Sequence, residues 1–383
     1  MLSIFKKRSF LISTIKNGNQ YLSQGYKISS NNIRKHSELS AYNSATSLYS
    51  YRLQNLESNL TLMEEIREET HKKIIKEMEP KIMKLKNCIC NDKSDIIIGD
   101  PLVTGLVLPN DFVFNLFFVV LGDEIETFDS DFNLNLQFQK GFINTIIKLI
   151  KADTSFWDDK RDTIKVKYGK KILLCFGDKT QLHINFAAND QLRYLNLFRY
   201  YAASDVRFRK LYFYVKMLLL NMKKIGGLKR LLDNRNIFIL VSHFLQTSFE
   251  NQQAVLPFLT DVYSAYLSPS VPTKDVIENL YKPVDVSEIQ PLINPKPLAS
   301  HLVMQFIDYF ANPMSYKSNI YLNKFNPVKE CEMKRKSKIL CFYTNKRLCS
   351  YDNNLNMYLE CMKRVQYMIK KGQLIDDLPN YLI

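Results

Sequence analysis

The sequence lacks the features that would place it in a membrane or among disulfide-linked and zinc-binding proteins. Its longest apolar run, around residues 112–121, is about half the ~20 residues that a bilayer-spanning helix needs. Of its seven cysteines, only Cys88 and Cys90 lie close together, without the two-residue spacing of paired zinc ligands. The expected state is therefore reduced thiols inside a cell, with no membrane insertion.

Acidic residues are absent from residues 1–37, which are rich in lysine, arginine and serine. This composition predicts a mitochondrial transit peptide over residues 1–45 and a location in the mitochondrial matrix. A basic leader of a cytoplasmic protein remains the alternative. The whole chain contains 53 lysines and arginines and 38 aspartates and glutamates, which gives a net charge of +15. Such an excess favours a polyanionic partner, either nucleic acid or an anionic membrane surface.

The two halves of the chain differ in their apolar patterns. Helical spacing with charged pairs predicts a helix over residues 53–85, which Pro80 should break or kink. Short strands are expected at residues 96–98, 112–120, 163–167 and 171–175. Helices are expected at 207–224, 237–249 and 298–310, loops at the proline-bearing residues 269–297, and a basic tail with a terminal helix after residue 317.

Several motifs of the second half occur in the order of one known family. They are residues 196–202, 205–207 and 215–216, then 241–246 and 255–259, then 297–302 with Phe306, Tyr309 and Phe310. Together they resemble the helical and PAP-associated segments of terminal nucleotidyltransferases, the non-canonical poly(A)/poly(U) polymerase family, over residues 60–315. The resemblance implies an α+β fold in which a polymerase-beta-like nucleotidyltransferase sheet domain packs on a helical PAP-associated domain.

The resemblance also implies a division of the chain into domains. Residues 46–90 would form N-terminal helices that pack on the helical domain. Residues 91–205 would form the nucleotidyltransferase-like palm domain, and residues 206–315 the helical PAP-associated domain. Residues 316–383 would form the basic C-terminal tail. Its cluster of Lys334, Arg335, Lys336 and Lys338 is the candidate RNA-binding segment.

In the family that this chain resembles, three aspartates hold the metal ions for phosphoryl transfer. Two magnesium ions bound by carboxylates stabilise the charge on the attacking and leaving oxygens. Here Asp111 matches the first aspartate, whereas Val113 and Asn185 stand at the second and third positions. Valine offers no ligand and asparagine only a neutral carbonyl. No metal ion is therefore expected, and Asp111 would be its ligand if one were bound.

The nucleotide-binding positions are altered in the same way. Gly99 and Asp100 match the Gly-Ser pair that cradles the triphosphate, but Asp100 brings a negative charge to it. Asn196 and Lys216 match nucleotide- and phosphate-binding positions, and Leu220 stands where a second lysine is often found. Residues 233–235 replace Ser-Ser-Tyr, so Arg235 takes the base-stacking position.

These departures predict an RNA-associated pseudo-nucleotidyltransferase that acts in RNA 3′-end metabolism by binding or scaffolding, together with an active polymerase or RNA-processing complex. No cofactor is expected. One alternative is an active terminal adenylyl- or uridylyltransferase that uses Mg²⁺ or Mn²⁺ with ATP or UTP. Its rearranged ligands would be Asp100 with Asp111, or Asp123 and Glu124. Another alternative is a protein-interaction module without RNA affinity.

Overall fold

The structure is a computed structural model. It describes residues 34–109, 111–224, 234–247, 253–312, 320–322, 340–342, 348–349 and 353–371. The chain divides into two compact units, residues 1–51 and residues 52–383. The sheet, the helices that pack on it and the cleft described below belong to the second unit. Most of the predicted leader, residues 1–33, lies outside the described residues, and the predicted domain boundaries remain predictions.

A long helix, α1 (Arg34–Ile89), precedes the sheet and contains the predicted residues 53–85. The prediction at Pro80 was a break or a kink, and the break is wrong, because the helix continues through Pro80 to its C-terminal end. Proline removes one backbone donor from a helix. Here Met78 and Ile82, on either side of Pro80, are buried in the core beneath the sheet. Packing of this turn on the core therefore holds the helical path.

The sheet contains five strands in the order β1-β2-β5-β4-β3. β2 and β5 run parallel, and the other neighbouring pairs are antiparallel. The four strands predicted at residues 96–98, 112–120, 163–167 and 171–175 are confirmed with small shifts at their ends. The strands are β1 (Ser94–Ile98), β2 (Val113–Val120), β3 (Thr163–Lys167), β4 (Lys171–Cys175) and β5 (Gln181–Asn185).

The two faces of the sheet have different surroundings. One face packs its apolar residues, among them Leu116 and Ile184, into a core that includes Phe132. The helices on this side are α2 (Ile125–Leu134) and α3 (Leu136–Ala152). Successive strand residues point to opposite faces. Asn115 and His183 therefore lie on the other face, which borders a cleft.

The helical part packs around a second core, which contains aromatic residues of the resemblance motifs such as Phe198, Tyr201 and Phe310. The helices predicted at 207–224, 237–249 and 298–310 are confirmed with shifted ends. The helices in chain order are α4 (Asn189–Ser204), α5 (Val206–Lys224), α6 (Asn234–Gln246), α7 (Leu259–Val262), α8 (Ser264–Leu267), α9 (Thr273–Tyr281) and α10 (Ala299–Ala311).

Helix α9 corrects the prediction that residues 269–297 are loops. It begins after Pro272 and ends before Pro283. Proline is tolerated next to a helix start and after a helix end, and the interval between these two prolines contains none. The buried side chains of Val276 and Ile277 provide the apolar face of this helix.

The C-terminal part adds a small sheet of β6 (Ile320–Tyr321), β7 (Leu340–Phe342) and β8 (Leu348–Cys349), and helix α11 (Asn353–Lys370). The predicted terminal helix is thereby confirmed. α11 packs along α10, and Tyr358 and Met362 join the helical core. Within the described ranges, no helix has both the length and the apolar character that crossing a membrane requires. The mixed sheet and helices confirm the predicted α+β class.

Candidate functional site

A cleft lies between the open face of the sheet and helices α4 and α6. Its inner pocket has a volume of about 310 Å³. Val113 and Asn115 of β2, His183 of β5 and Lys171 of β4 line the sheet side, and Arg235 lines the helix side. A larger outer cavity of about 1020 Å³ shares Lys171, Gln191 and Arg235 with the inner pocket. The two spaces therefore form one continuous cleft.

The parallel register of β2 and β5 decides which side chains meet in the inner pocket. Asn115 lies directly opposite His183, and both line the pocket beside Val113, the predicted second metal position. Asn185, the predicted third position, pairs with Phe117 farther along β2. Its Nδ2 donates to the carbonyl oxygens of Leu116 (2.9 Å) and His183 (3.1 Å). Asn185 lines the outer cavity instead.

Asp111, the matched first aspartate, forms an ion pair with Lys216 of α5. The Nζ of Lys216 lies 3.1 Å from one carboxylate oxygen of Asp111 and 3.4 Å from the other. The backbone N–H of Leu108 donates to the same carboxylate at 2.7 Å. The side chains of Lys216 and Asp111 are 9% and 24% exposed. The ion pair therefore joins the residue at the first metal-ligand position to the residue at the phosphate-binding lysine position.

Gly99 and Asp100 form the turn that follows β1. A Cβ atom on Gly99 would lie 2.6 Å from the ring of Phe117 and 2.7 Å from the carbonyl oxygen of Asn115, so glycine alone fits there. The side chain of Asp100 accepts a hydrogen bond from the Thr104 hydroxyl. Asn115 Nδ2 donates to the Asp100 carbonyl at 3.0 Å. This turn thus holds the Asp100 carboxylate at the edge of the inner pocket.

The inner pocket contains the ammonium group of Lys171 and the neutral imidazole of His183. The Nζ of Lys171 lies 3.4 Å from Asn115 Oδ1. Burial, and then the charges of Lys171 and Lys167, lower the pKa of His183 from 6.5 to about 4. The imidazole is therefore neutral at pH 7. Its Nε2 atom is buried and has no hydrogen-bond partner among the described residues.

The remaining nucleotide-binding positions fall in two different places. Arg235 lines the cleft, with its guanidinium carbon 5.6 Å from the centroid of the Tyr194 ring. Asn196 is buried between helices, where it accepts a hydrogen bond from Asn279 (3.0 Å) and donates to the carbonyl of Tyr266 (3.1 Å). It contributes to packing of the helical part and is not among the residues described as lining the cleft.

The residues around the inner pocket do not fit a two-magnesium site. Magnesium requires hard oxygen ligands, and paired ions need carboxylates on both. Asp100 places a carboxylate at the inner pocket, but Val113 has no side-chain donor atom and Asp111 is paired with Lys216. In the part of the chain that the structure describes, no group of three or more His, Cys, Asp or Glu side chains is placed to hold a metal ion.

Asp123 and Glu124, the alternative ligands, lie in the turn Gly122–Glu124 that follows β2. Lys274 lies 3.7 Å from the carboxylate of Asp123, and Lys93 lies 2.9 Å from that of Glu124. Among the described residues that line the two spaces of the cleft, neither occurs. The predicted RNA-binding residues Lys334, Arg335, Lys336 and Lys338 lie outside the described residues.

Sequence reasoning missed Asn115, Lys171 and His183 as pocket residues. Asn115 and His183 carried a partial signal, because a polar residue inside an otherwise apolar strand is expected to face away from the core. The strand order and the register were needed to bring the three together.

No family model and no curated protein matches the sequence. Solved structures do match the fold. The complex of the non-canonical poly(A) polymerase GLD-2 with GLD-3 has a TM-score of 0.58 at 16% identity, covering 85% of this chain and 97% of that one. The GLD-2/RNP-8 complex has a TM-score of 0.61 at 16% identity, covering 86% of this chain and 98% of that one. Cid1 bound to the UTP analogue UMPNPP has a TM-score of 0.57 at 13% identity, covering 83% of this chain and 98% of that one. The chain therefore has the nucleotidyltransferase fold of these poly(A) and poly(U) polymerases.

Proposed function

We propose that this protein is an RNA-associated pseudo-nucleotidyltransferase, which acts in RNA 3′-end metabolism by binding or scaffolding rather than by catalysis. The fold supports the first half of this proposal. The similar solved structures are described as a poly(A) polymerase, a poly(U) polymerase and an RNA terminal uridylyl transferase. A chain with this fold and a net charge of +15 is suited to hold RNA.

The second half of the proposal, that the protein does not catalyse the reaction, rests on the possible metal ligands of the inner pocket. Phosphoryl transfer of this type depends on positioning and on metal ions that neutralise the developing charge. The sheet wall presents Val113, Asn115 and the neutral His183, and none of these is a carboxylate. Asp111 is already neutralised by Lys216. Should a divalent ion bind, Asp100 and Asp111 would be the candidates to hold it, and the ion would supply charge neutralisation for phosphate groups.

We further propose that the protein works within a larger complex. The two GLD-2 structures are complexes with a second protein, GLD-3 or RNP-8. A chain that binds RNA without extending it would supply the substrate to an active polymerase or RNA-processing complex. The acid-free residues 1–37 support a mitochondrial matrix location. We expect residues 1–45 to direct a fused fluorescent protein to mitochondria, and a diffuse cytoplasmic signal would contradict this location.

A primer-extension assay tests the proposed function. The purified full-length protein is incubated with a labelled RNA primer, ATP or UTP, and Mg²⁺ or Mn²⁺. We expect no extended product, together with binding of the same primer that weakens as the salt concentration rises. Extension that Asp111→Ala abolishes would contradict the proposal and favour the active transferase. Weak binding that does not depend on salt would favour a protein-interaction module.

A further inference from the structure

The hairpin of β3 and β4 ends in a loop with an unusual backbone. Residues 168–170 connect the strands, and the N–H of Lys170 donates to the carbonyl of Lys167 at 3.3 Å. Tyr168 has a φ of 54° and Gly169 a φ of 64°. A left-handed conformation is uncommon for residues other than glycine, asparagine and aspartate, and it costs free energy at an aromatic residue. We call residues 163–175 the Tyr168 hairpin.

The loop is held firmly on the helices behind the sheet. A Cβ atom on Gly169 would lie 2.7 Å from Oε1 of Gln139, so the backbone of the loop passes directly over this side chain. Gln139 is itself buried in α3 and donates to the carbonyl of Phe132 at 3.0 Å. Lys170 donates to the side chain of Asn133 in α2. The hairpin therefore presents its loop in a fixed position.

Tyr168 gains no burial from this position. Its side chain is 86% exposed, and the Nζ of Lys167 lies 5.3 Å from the centroid of its ring. Packing cannot account for an exposed aromatic ring on a strained backbone. An accessible ring beside ammonium groups is the arrangement that binds single-stranded nucleic acid, because bases stack on the ring and phosphates pair with the charges.

The hairpin borders the outer cavity, which leads to the inner pocket. Tyr168 lines this cavity together with Lys167, Lys170 and Lys171, and Lys171 also lines the inner pocket. The basic residues of the lining outnumber its acids. The basic residues are Lys167, Lys170, Lys171, Arg193 and Arg235, and the acids are Glu126, Asp129 and Asp190.

The concave shape favours RNA over an anionic membrane. A bilayer surface is flat, whereas the cavity extends from Tyr168 at the rim to Asn185 and Ala188 inside. Its volume of about 1020 Å³ has room for several nucleotides of an extended strand. A single strand can enter such a cavity with its bases unstacked from one another and available to an aromatic ring.

We propose that the Tyr168 hairpin is a binding site for single-stranded RNA that works without metal ions. Tyr168 stacks on one base, Lys167 and Lys170 contact the phosphates on either side, and Lys171 and Arg235 hold the strand along the cleft. This inference rests on the proposed RNA association and adds the place of contact. It also assigns RNA binding to described residues of the sheet part in addition to the candidate tail residues Lys334 to Lys338.

Binding of fluorescent oligoadenylate and oligouridylate to the full-length protein tests the proposal, measured by anisotropy in EDTA between about 50 and 200 mM salt. Tyr168→Asn removes the ring but tolerates the left-handed backbone. We expect it to weaken binding roughly 5- to 150-fold, the range of one lost base stack, with an unchanged salt dependence. Lys167→Gln and Lys170→Gln should each lower the slope of log affinity against log salt by about 0.7.

Two matched controls lie outside the cleft lining. Lys148→Gln removes the same charge from an exposed position of α3. Tyr367→Ser removes another exposed tyrosine, which lies on α11 under Lys371, the residue that follows this helix. Both should bind RNA as the unsubstituted protein does, and all variants should melt at similar temperatures. Ultraviolet crosslinking of RNA that contains 4-thiouridine should label the peptide that bears Tyr168.

The outcomes separate this inference from the proposed function. If the unsubstituted protein binds RNA and the three hairpin variants bind it equally well, the hairpin site is wrong and RNA association stands. If the unsubstituted protein does not bind RNA, both are wrong. Binding to phosphatidylserine vesicles that the hairpin substitutions abolish, with RNA affinity unchanged, would also overturn the hairpin site. Primer extension would overturn the pseudoenzyme and leave the hairpin site to be decided by the variants' affinities.

Discussion

His183 shows how a single residue of the cleft couples its chemistry to stability. Burial, assisted by the charges of Lys171 and Lys167, lowers the pKa of its imidazole from 6.5 to about 4. A charged imidazole between β2 and β4 would lose hydration and face two ammonium groups. The neutral form is therefore the one compatible with the folded sheet, and its buried Nε2 is available as an acceptor or donor for a group that enters the pocket.

This residue predicts a pH dependence of folding stability. Between pH 6.5 and pH 4 the unfolded chain binds a proton at His183 that the folded chain does not, so the free energy of unfolding falls as the pH is lowered through this window. Below it, the contribution is constant. His183→Gln should make urea-unfolding stability less dependent on pH in this window. His243, whose pKa burial also lowers to about 4, keeps part of the dependence.

The exposed His301 provides the control, because His301→Gln leaves in place His71, His183 and His243, whose pKa values burial lowers. It should retain the full pH dependence. If the free energy of unfolding of His183→Gln changes with pH as steeply as that of the unsubstituted protein, folding does not lower the pKa of His183.

At the scale of elements, the short strands were predictable and one helix was not. Short runs rich in β-branched, aromatic and other apolar residues, bounded by Gly, Asp or Asn, mark β1 to β4 on their own, since local pattern is enough to define a short strand. The prolines around α9 suggested loops. They flank this helix rather than interrupt it, and the helix packs on α4.

The interface of α4 and α9 depends on a buried charge whose role the sequence does not reveal. Arg199 stands among arginines and tyrosines, a pattern that also suits RNA binding. In the structure it donates to the carbonyls of Leu280 (2.7 Å), Asn279 (3.0 Å) and Lys282 (3.0 Å), at the C-terminal end of α9. The last carbonyls of a helix point away from its C-terminal end, and a cation there is favoured by the helix dipole. The Asn279 carbonyl also accepts a hydrogen bond from the backbone N–H of Lys282 at 3.0 Å.

The candidate site was predictable only in part for a related reason. A resemblance of motifs locates the turn at Gly99 and the strand that follows, because these residues are adjacent in sequence. The neighbours of that strand come from β4 and β5, which are distant in the chain. Their side chains meet through the parallel pairing of β2 with β5, which sets Asn115 beside His183. Local sequence pattern does not fix such a register.

At the scale of the whole molecule, polar side-chain contacts join the sheet part to the helical part. Tyr281 of α9 donates to Asp95 of β1 at 2.8 Å. On another side, Asp111 before β2 pairs with Lys216 of α5. The second contact uses two residues that the family resemblance assigns to metal and phosphate. A salt bridge between the two parts therefore joins the residues at these two matched positions.

This link predicts that Asp111 contributes to stability rather than to metal binding. Asp111→Asn leaves the largely buried Lys216 without its counter-charge, and we expect the free energy of unfolding to fall by about 1–3 kcal/mol. Lys216→Met should restore part of the loss when combined with it, since the two substitutions remove one interaction. Urea unfolding in EDTA measures the stability of Asp111→Asn, of Lys216→Met and of the double variant. A stability in EDTA that Asp111→Asn leaves unchanged, together with Mn²⁺ binding that it abolishes, would instead identify Asp111 as a metal ligand.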